Sequence, residues 1–382
     1  MTFFTPTREE ALARIASVRP AEYARTRNAL NGAVTQLSPY ITHGFVSLPE
    51  VLQGVRSQHT VNSQDKFLFE LGWREYYRHV WQHRGDGIFE SLHEGVLPES
   101  AYTNQIPADI LQACTGVAAI DMAVKTLYAT GYLHNHARMW LASYMVHLRK
   151  VHWRVGADWL YGHLLDGDLA SNHLSWQWVA GTGSHKPYLF NAENVARFAP
   201  EAWHSAGSPI DRSYEDLDQI ARQSLPVASS ANCSGNLVVE PALMSCPPTS
   251  LNMGVPNSDV AKDRDVWLVH PWSLGDLPAD LPKDTLVIGI FVSEFHRAWP
   301  WDERRWLFVQ SRMAELASEC WYGDRLSIEL ALQGAKRLGG VSEAHIAPWL
   351  PSAGQYGPMP ALFPDVERRC DSFSKWWQLV SQ

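Results

Sequence analysis

Four short stretches of this chain place polar and aromatic side chains where a helical core would carry Leu or Val. In 66–81, KFLFELGWREYYRHVW, residues Glu70, Trp73, Arg74 and Tyr77 share one helical face through three- and four-residue spacing. A carboxylate, an indole and a guanidinium in an apolar helix line a polar cavity, or else form a surface ion pair beside a packed Trp. In 130–153, TGYLHNHARMWLASYMVHLRKVHW, Asn135, Arg138 and Met139 fall on one face. In 158–183, DWLYGHLLDGDLASNHLSWQWVAGTG, Asp166, Asp168, Asn172, Trp176 and Trp178 crowd a short window. Two carboxylates this close suit metal or acid–base work. They suit equally a single partner such as Arg74 or Arg138 that keeps an Asp ionised. In 34–44, VTQLSPYITHG, Thr35 and Ser38 stand at a turn before an apolar segment. That position fits hydroxyl donors for phosphate and fits an ordinary helix cap as well.

Helices must present these groups. Segments 8–18, 47–56, 64–82, 107–113, 117–130, 134–150, 156–165 and 168–179 repeat apolar residues at helical spacing, with Gly and Pro falling between them. No alternating strand pattern of useful length precedes residue 200. From about Pro200 to Asp263 the chain turns rich in Ser, Pro, Asn and Ala, as in SLPVASSANCSGN, and reads as a long, mobile, mostly irregular linker. One short helix, about Tyr214 to Arg222, interrupts it. Beyond it, DVWLVH (265–270) and TLVIGIF (285–291) are β-rich runs, followed by an amphipathic helix at about 302–318. The expectation is a multi-domain chain: an all-α domain over 1–200, a linker over 201–263, and a small α/β, Rossmann-like domain with a parallel sheet over 264–382.

Composition narrows the class. The 382 residues are 46% hydrophobic with 17 Trp, which excludes disorder for most of the chain. No apolar run is long enough to span a membrane, and the charged opening MTFFTPTREEALARI lacks the apolar stretch of a signal peptide, so a cytoplasmic protein is expected. The net charge of -8 argues against a globally basic nucleic-acid binder, yet its distribution is uneven. Residues 1–200 carry 17 basic and 17 acidic groups and 12 of the 16 His, whereas the remainder carries 15 and 23. A positive face on the first part is compatible with that balance. The five Cys are scattered without a CxxC pair, so reduced thiols are expected and no metal site is assigned.

Taken together, LSPYITHG, ELGWREYYRH, TGYLHNHARMW and LLDGDLASNHLSWQW resemble, in order and spacing, the FAD-binding helical domain of the photolyase/cryptochrome family, from about Tyr23 to Pro200. No GxGxxG turn occurs, in keeping with a family that holds a bent FAD among helices. By position the resemblance implies FAD contacts from Tyr23, Thr35, Ser38, Arg74, Arg138, Asp166, Asp168 and Asn172, with Asn172 facing the flavin N5. Val-Thr-Gln-Leu-Ser departs from the usual Thr-Ser-x-Leu-Ser and loses one phosphate hydroxyl. Glu70, Trp73, Asn135, Met139 and Trp178 match the pocket for a flipped-out cyclobutane pyrimidine dimer. Animal-type (6-4) enzymes put His at the positions of Asn135 and Met139. His136 stands where the cyclobutane enzymes usually have Arg.

The implied activity is light-driven splitting of cyclobutane pyrimidine dimers in UV-damaged DNA by electron transfer from reduced FAD, a lyase reaction without net redox change. Glu70 and Asn172 serve the chemistry, and Trp176 and Trp153 carry the electrons that reduce the flavin. The family's third Trp falls near Ser100, where LPESAYTN offers only Tyr102, so photoreduction is expected to be slower or differently routed. A cryptochrome-like photoreceptor and a (6-4) photolyase are the alternatives. The C-terminal module resembles a shuffled, shortened antenna-like domain, and its cluster Trp299, Trp301 and Trp306 reads as packing rather than a pigment box. No antenna pigment, no membrane partner and a monomeric state are expected.

Overall fold

The computed structural model describes residues 4–184, 186–229 and 237–381. It divides into two compact units, each assembled from three separate segments. A helical unit comprises Arg19–Val34, Ser63–Pro241 and Asp365–Gln382; an α/β unit comprises Met1–Val18, Thr35–Asn62 and Ala242–Pro364. This interleaving differs from a linear division at Pro200 and Asp263.

Seven helices of the helical unit matter here: α1 (Pro20–Thr26), α2 (Lys66–Arg84), α3 (Ala118–Thr130), α4 (Asn135–Ser143), α5 (Trp153–His163), α6 (Leu169–Ala180) and α7 (Phe373–Val380). The centre is α6, which packs against α2, α4 and α5. Its residues are buried nearly all round, as a helix without a polar face must be. It starts where the Asp168 carboxylate accepts from Ser171 N at 2.8 Å. It stops at Gly181, whose φ of 83° is a left-handed cap that a side chain would strain. The core beneath it holds Trp140, Tyr144, Tyr161 and Phe190, all fully buried, each contributing on the order of 2–3 kcal/mol by burial.

One expected helix is shorter than its pattern. Apolar spacing runs from 134 to 150, but α4 passes into a π-helical turn at Tyr144–Leu148 and then stops. Lys150 adopts a φ of 55°, and its buried ammonium donates to the carbonyls of His147, Ile220 and Ala221 at 2.7, 2.8 and 3.0 Å. Two of those acceptors close the short helix Tyr214–Ala221. The described residues of 201–241 are therefore packed rather than a mobile connection. Ile210, Leu217 and Ala221 are buried, Val227 N donates to Leu148 O, and Glu240 accepts from Trp159 Nε1 at 2.8 Å.

The α/β unit holds five parallel strands, β1 (Asp265–Val269), β2 (Leu286–Val292), β3 (Glu319–Gly323), β4 (Arg337–Ser342) and β5 (Gln355–Pro358), in the order β3-β2-β1-β4-β5. The central pair β1 and β2 is the expected one, and helix Glu303–Leu316 follows it. Trp301 and Trp306 enclose the buried His296 at 4.5 and 4.2 Å, which is core packing. Helices Arg8–Ser17 and Leu48–Arg56, expected in the first domain, belong to this unit. The reason is aromatic: Phe45 stacks on Phe308 at 5.1 Å, and Tyr40 meets the same ring at 5.7 Å. Cys246, Cys320 and Cys370 are free thiols, but Cys114 is disulfide-bonded, against the expectation of thiols throughout.

Burial lowers His134 and His147 of the helical unit to about 4, helped at His134 by His136 and Arg138 and opposed at His147 by the Val179 carbonyl. The folded state therefore binds fewer protons than the unfolded state between pH 4 and 6.5. Stability is full above the unfolded pKa and is lost as pH falls through that window. Urea unfolding at pH 7.5 and pH 5 should show a loss of about 1–3 kcal/mol per imidazole at the lower pH.

Candidate functional site

The helical unit brings the expected charged residues into two ion pairs around the start of α6. Arg138, on α4, donates through Nη2 to both oxygens of Asp166 at 2.9 and 2.8 Å, while its Nε holds Leu133 O at 2.7 Å. Asp168 is 2% exposed. One of its oxygens caps α6, and the other faces Arg74 Nη1 at 3.6 Å and Arg78 Nη2 at 3.8 Å. Three guanidiniums thus face two carboxylates. The pairing favours structural ion pairs over a metal site, and no group of three potential metal ligands occurs among the described residues. Arg78 was not foreseen, although it sits four residues after Arg74 on the same helical face.

Asn172 follows one turn into α6. Its Nδ2 donates to Ala157 O at 2.8 Å, which fixes the amide and leaves Oδ1 as its accepting end. Beside it, Ser171 Oγ is buried with no hydrogen-bond partner, a cost that a polar ligand would relieve. Tyr23, on α1, packs edge-on against Phe67 at 5.9 Å, and burial pushes its hydroxyl well above the usual range. These groups fit a dinucleotide flavin: cations for a diphosphate, an oriented amide for a ring edge, and an unsatisfied hydroxyl. Thr35 and Ser38 belong to the α/β unit. There Thr35 Oγ1 accepts from Leu37 N at 3.4 Å, and Ser38 opens the helix Ser38–Thr42.

Glu70 is half-buried on α2 and meets Arg27 Nε at 3.3 Å. Desolvation raises its carboxyl above the ordinary range, with Arg27 and Lys66 pulling the other way. No local pattern announces Arg27, which lies 43 residues earlier. Trp73 lies in a parallel stack with Phe373 of α7, with ring centroids 4.1 Å apart and an 11° tilt. The same helix face continues to Tyr77, whose hydroxyl is 3.5 Å from Ser175 Oγ and is pushed up to about 12 by burial. On α4, Asn135 is exposed and its Nδ2 approaches Met139 Sδ at 3.8 Å. Trp178 is 40% exposed, tilted against Tyr188 at 5.7 Å. His136 is buried between Trp140 and Phe198, its Nε2 3.4 Å from the Tyr188 hydroxyl.

The two expected electron carriers are both core residues. Trp176 and Trp153 are each 3% exposed. Gly156 on α5 admits the Trp176 ring, since a Cβ there would stand 2.4 Å from it. Trp153 Nε1 donates to Ser91 Oγ at 3.0 Å. The loop carrying Ser91 is pinned by Gln177 of α6, which donates to Ile88 O and Glu90 O and accepts from Leu92 N. Outward of Trp153 the rings continue through His152 at 5.8 Å to Tyr102, a further 6.2 Å away. All three line a cavity of about 380 Å³.

Residues 67–225 match the family model of the FAD binding domain of DNA photolyase. Over this stretch the chain is similar to the photolyase/cryptochrome family. Among relatives in the family, a deoxyribodipyrimidine photo-lyase of Synechococcus sp. is 30% identical over 235 residues, 54% of this chain and 47% of that protein. A deoxyribodipyrimidine photo-lyase of Streptomyces griseus is 33% identical over 165 residues, 43% and 36% of the two chains. A cryptochrome DASH of Idiomarina loihiensis is 31% identical over 208 residues, 50% and 46%. A solved cryptochrome of Synechocystis sp. is 25% identical with a TM-score of 0.48, over 60% of this chain and 54% of that one. The chain spans about half or less of the length of the curated relatives it matches. A photolyase-like helical FAD-binding domain and a parallel-sheet α/β domain are both present.

Gly156→Ala tests the close approach at Trp176. Despite the better helix propensity of Ala, urea denaturation followed by Trp fluorescence should show a loss of about 1–3 kcal/mol from overpacking.

Proposed function

We propose that the chain is a light-driven DNA-repair flavoprotein that splits cyclobutane pyrimidine dimers. The observation that carries this reading is Glu70, a half-buried acid with a raised pKa, held by Arg27 on the helical face that also bears Trp73. A carboxyl at that place would hydrogen-bond the edges of a flipped pyrimidine, and in its protonated form would stabilise the negative charge the dimer acquires. Trp73 and Trp178 supply the stacking surfaces, each worth roughly 1–3 kcal/mol per base. Exposed Asn135 and the sulfur of Met139 complete the pocket, without the paired His that the (6-4) reading requires. A damaged, weakly stacked lesion is cheaper to flip out of the duplex than an intact base.

FAD would be held by Tyr23, Arg74, Arg138, Asp166, Asp168 and Asn172 of the helical unit. The chemistry supplied by bound, reduced FAD is one electron, lent on excitation and returned once the cyclobutane ring has opened. Asn172 contributes an accepting Oδ1, because donation of one Nδ2 proton to Ala157 O orients the amide; that polarity suits a protonated ring nitrogen. Trp176 and Trp153 provide the buried electron path outward, with His152 and Tyr102 beyond them in place of a third Trp.

A signalling photoreceptor is the second reading, favoured by likeness to a cryptochrome DASH as strong as that to the photo-lyases. The two separate on a UV-irradiated oligothymidine incubated with photoreduced protein. Loss of dimers in light and not in the dark supports repair, and persistence of dimers with a photoreducible flavin supports signalling. Glu70→Ala should lower the repair yield by about 10²-fold and leave flavin content and absorbance unchanged. Loss of the flavin in that variant would overturn the division of the site.

A further inference from the structure

We propose that Phe373 is a positioning residue for the Trp73 indole, and that the C-terminal segment through α7 forms a fixed wall of the lesion pocket. The proposal rests on the reading of Trp73 as a base-stacking surface. The parallel stack at 4.1 Å is one part of a larger seam between α7 and α2. Phe69 meets Phe373 edge-on at 4.6 Å and Trp377 at 5.4 Å. Tyr76 meets Phe373 edge-on at 5.7 Å. Gly72 is what permits the approach, because a Cβ there would stand 2.4 Å from the Trp377 ring. A residue with no chemistry of its own, one position before Trp73, thereby acquires a reason.

The seam is anchored by polar contacts along the rest of α2. Cys370 N donates to His79 Nε2 at 3.0 Å, Tyr76 donates from its hydroxyl to Cys370 O at 3.4 Å, and His83 Nε2 lies 3.1 Å from Val366 O. Cys370, Phe373 and Trp376 are 4%, 4% and 3% exposed. Such burial belongs to permanent structure rather than to a flap held at its edge. Trp73 nevertheless keeps partial exposure. With Phe373 sealing one face, a base can stack only on the surface of the indole that remains open. The stack also fixes the ring before the ligand arrives, so the rotamer entropy of an aromatic side chain is not lost again on binding.

The test compares full-length, flavin-loaded wild type with Phe373→Ala and Phe373→Tyr. Binding to UV-irradiated and unirradiated oligothymidine is measured in the dark by fluorescence anisotropy. Flavin absorbance and light-driven flavin reduction serve as readouts independent of DNA. Phe373→Ala should weaken binding of the irradiated strand by about 2- to 10-fold, the size of one aromatic pair, and leave the unirradiated strand and the flavin readouts unchanged. Phe373→Tyr, which keeps the aromatic face, should bind like wild type. Unchanged binding by Phe373→Ala overturns the proposal. So does tighter binding, which would mean that the phenyl ring occupies the place of the base. If Phe373→Ala does not fold, Phe373→Leu carries the same comparison with apolar bulk retained. Trp178→Ala separates the two levels of argument. A wild type without preference for irradiated DNA removes the lesion reading itself. A preference lost in Trp178→Ala but kept in Phe373→Ala removes only the role of Phe373.

Discussion

The carboxylate of Asp168 does two jobs on which the rest of the helical unit depends. It starts α6 by capping Ser171 N, and it faces the guanidiniums of Arg74 and Arg78 from a position almost out of water. A buried carboxylate without cations would take up a proton and become a poorer cap, because the cost of burying an unpaired charge exceeds what one cap returns. The arginines of α2 therefore keep the first turn of α6 in place. Since α6 is surrounded by α2, α4 and α5, any shift in that turn passes to Asn172 and Trp176. The residues proposed to hold the cofactor are thus also part of the scaffold.

Around that helix the unit places its chemistry on short, rigid connections. Gln177 reaches back to hold the 88–92 loop, and that loop in turn supplies the acceptor for Trp153. Lys150 ends the π-helical turn and closes the helix at Ile220 and Ala221 with one ammonium. Gly156 and Gly72 remove a side chain where an aromatic ring must pass. Each arrangement uses one residue to satisfy two segments distant in sequence. This is how a chain with so much indole surface keeps its polar backbone groups paired.

Much of this was legible from residue spacing, and the rest was hidden for identifiable reasons. The shared face of Glu70, Trp73, Arg74 and Tyr77 follows from helical periodicity, and α2 presents it. The Asp–Arg pairs were foreseen as one of two options, and the structure selects Arg138 for Asp166 and Arg74 for Asp168. Arg27 and Phe373 could not be read, because a pairing across 43 or about 300 residues leaves no periodic trace. The same limit explains the domain division. Phe45 and Phe308 are neighbours in space, and nothing in the local pattern of either announces the other. Strands β1 and β2 have the continuous apolar run of a buried parallel pair, whereas β3 to β5, with sequences ECWYG, RLGGVS and QYGP, are too polar or Gly-rich to stand out. The composition of 201–263 suggests a mobile linker, but mobility does not follow from composition. Single anchors such as Ile210 and Glu240 tie such a segment down.

The stack between Trp73 and Phe373 also bears on how the molecule is made. The two rings are separated by about 300 residues of chain, which a ribosome adding 5–20 residues per second takes ~15–60 s to synthesise. For most of that interval α2 is outside the exit tunnel with Phe69, Trp73 and Tyr76 lacking their covering segment. An aromatic strip of that kind is a binding target for chaperones and a nucleus for aggregation. Expression yield should therefore respond to translation speed and chaperone supply more than the stability of the finished fold would suggest.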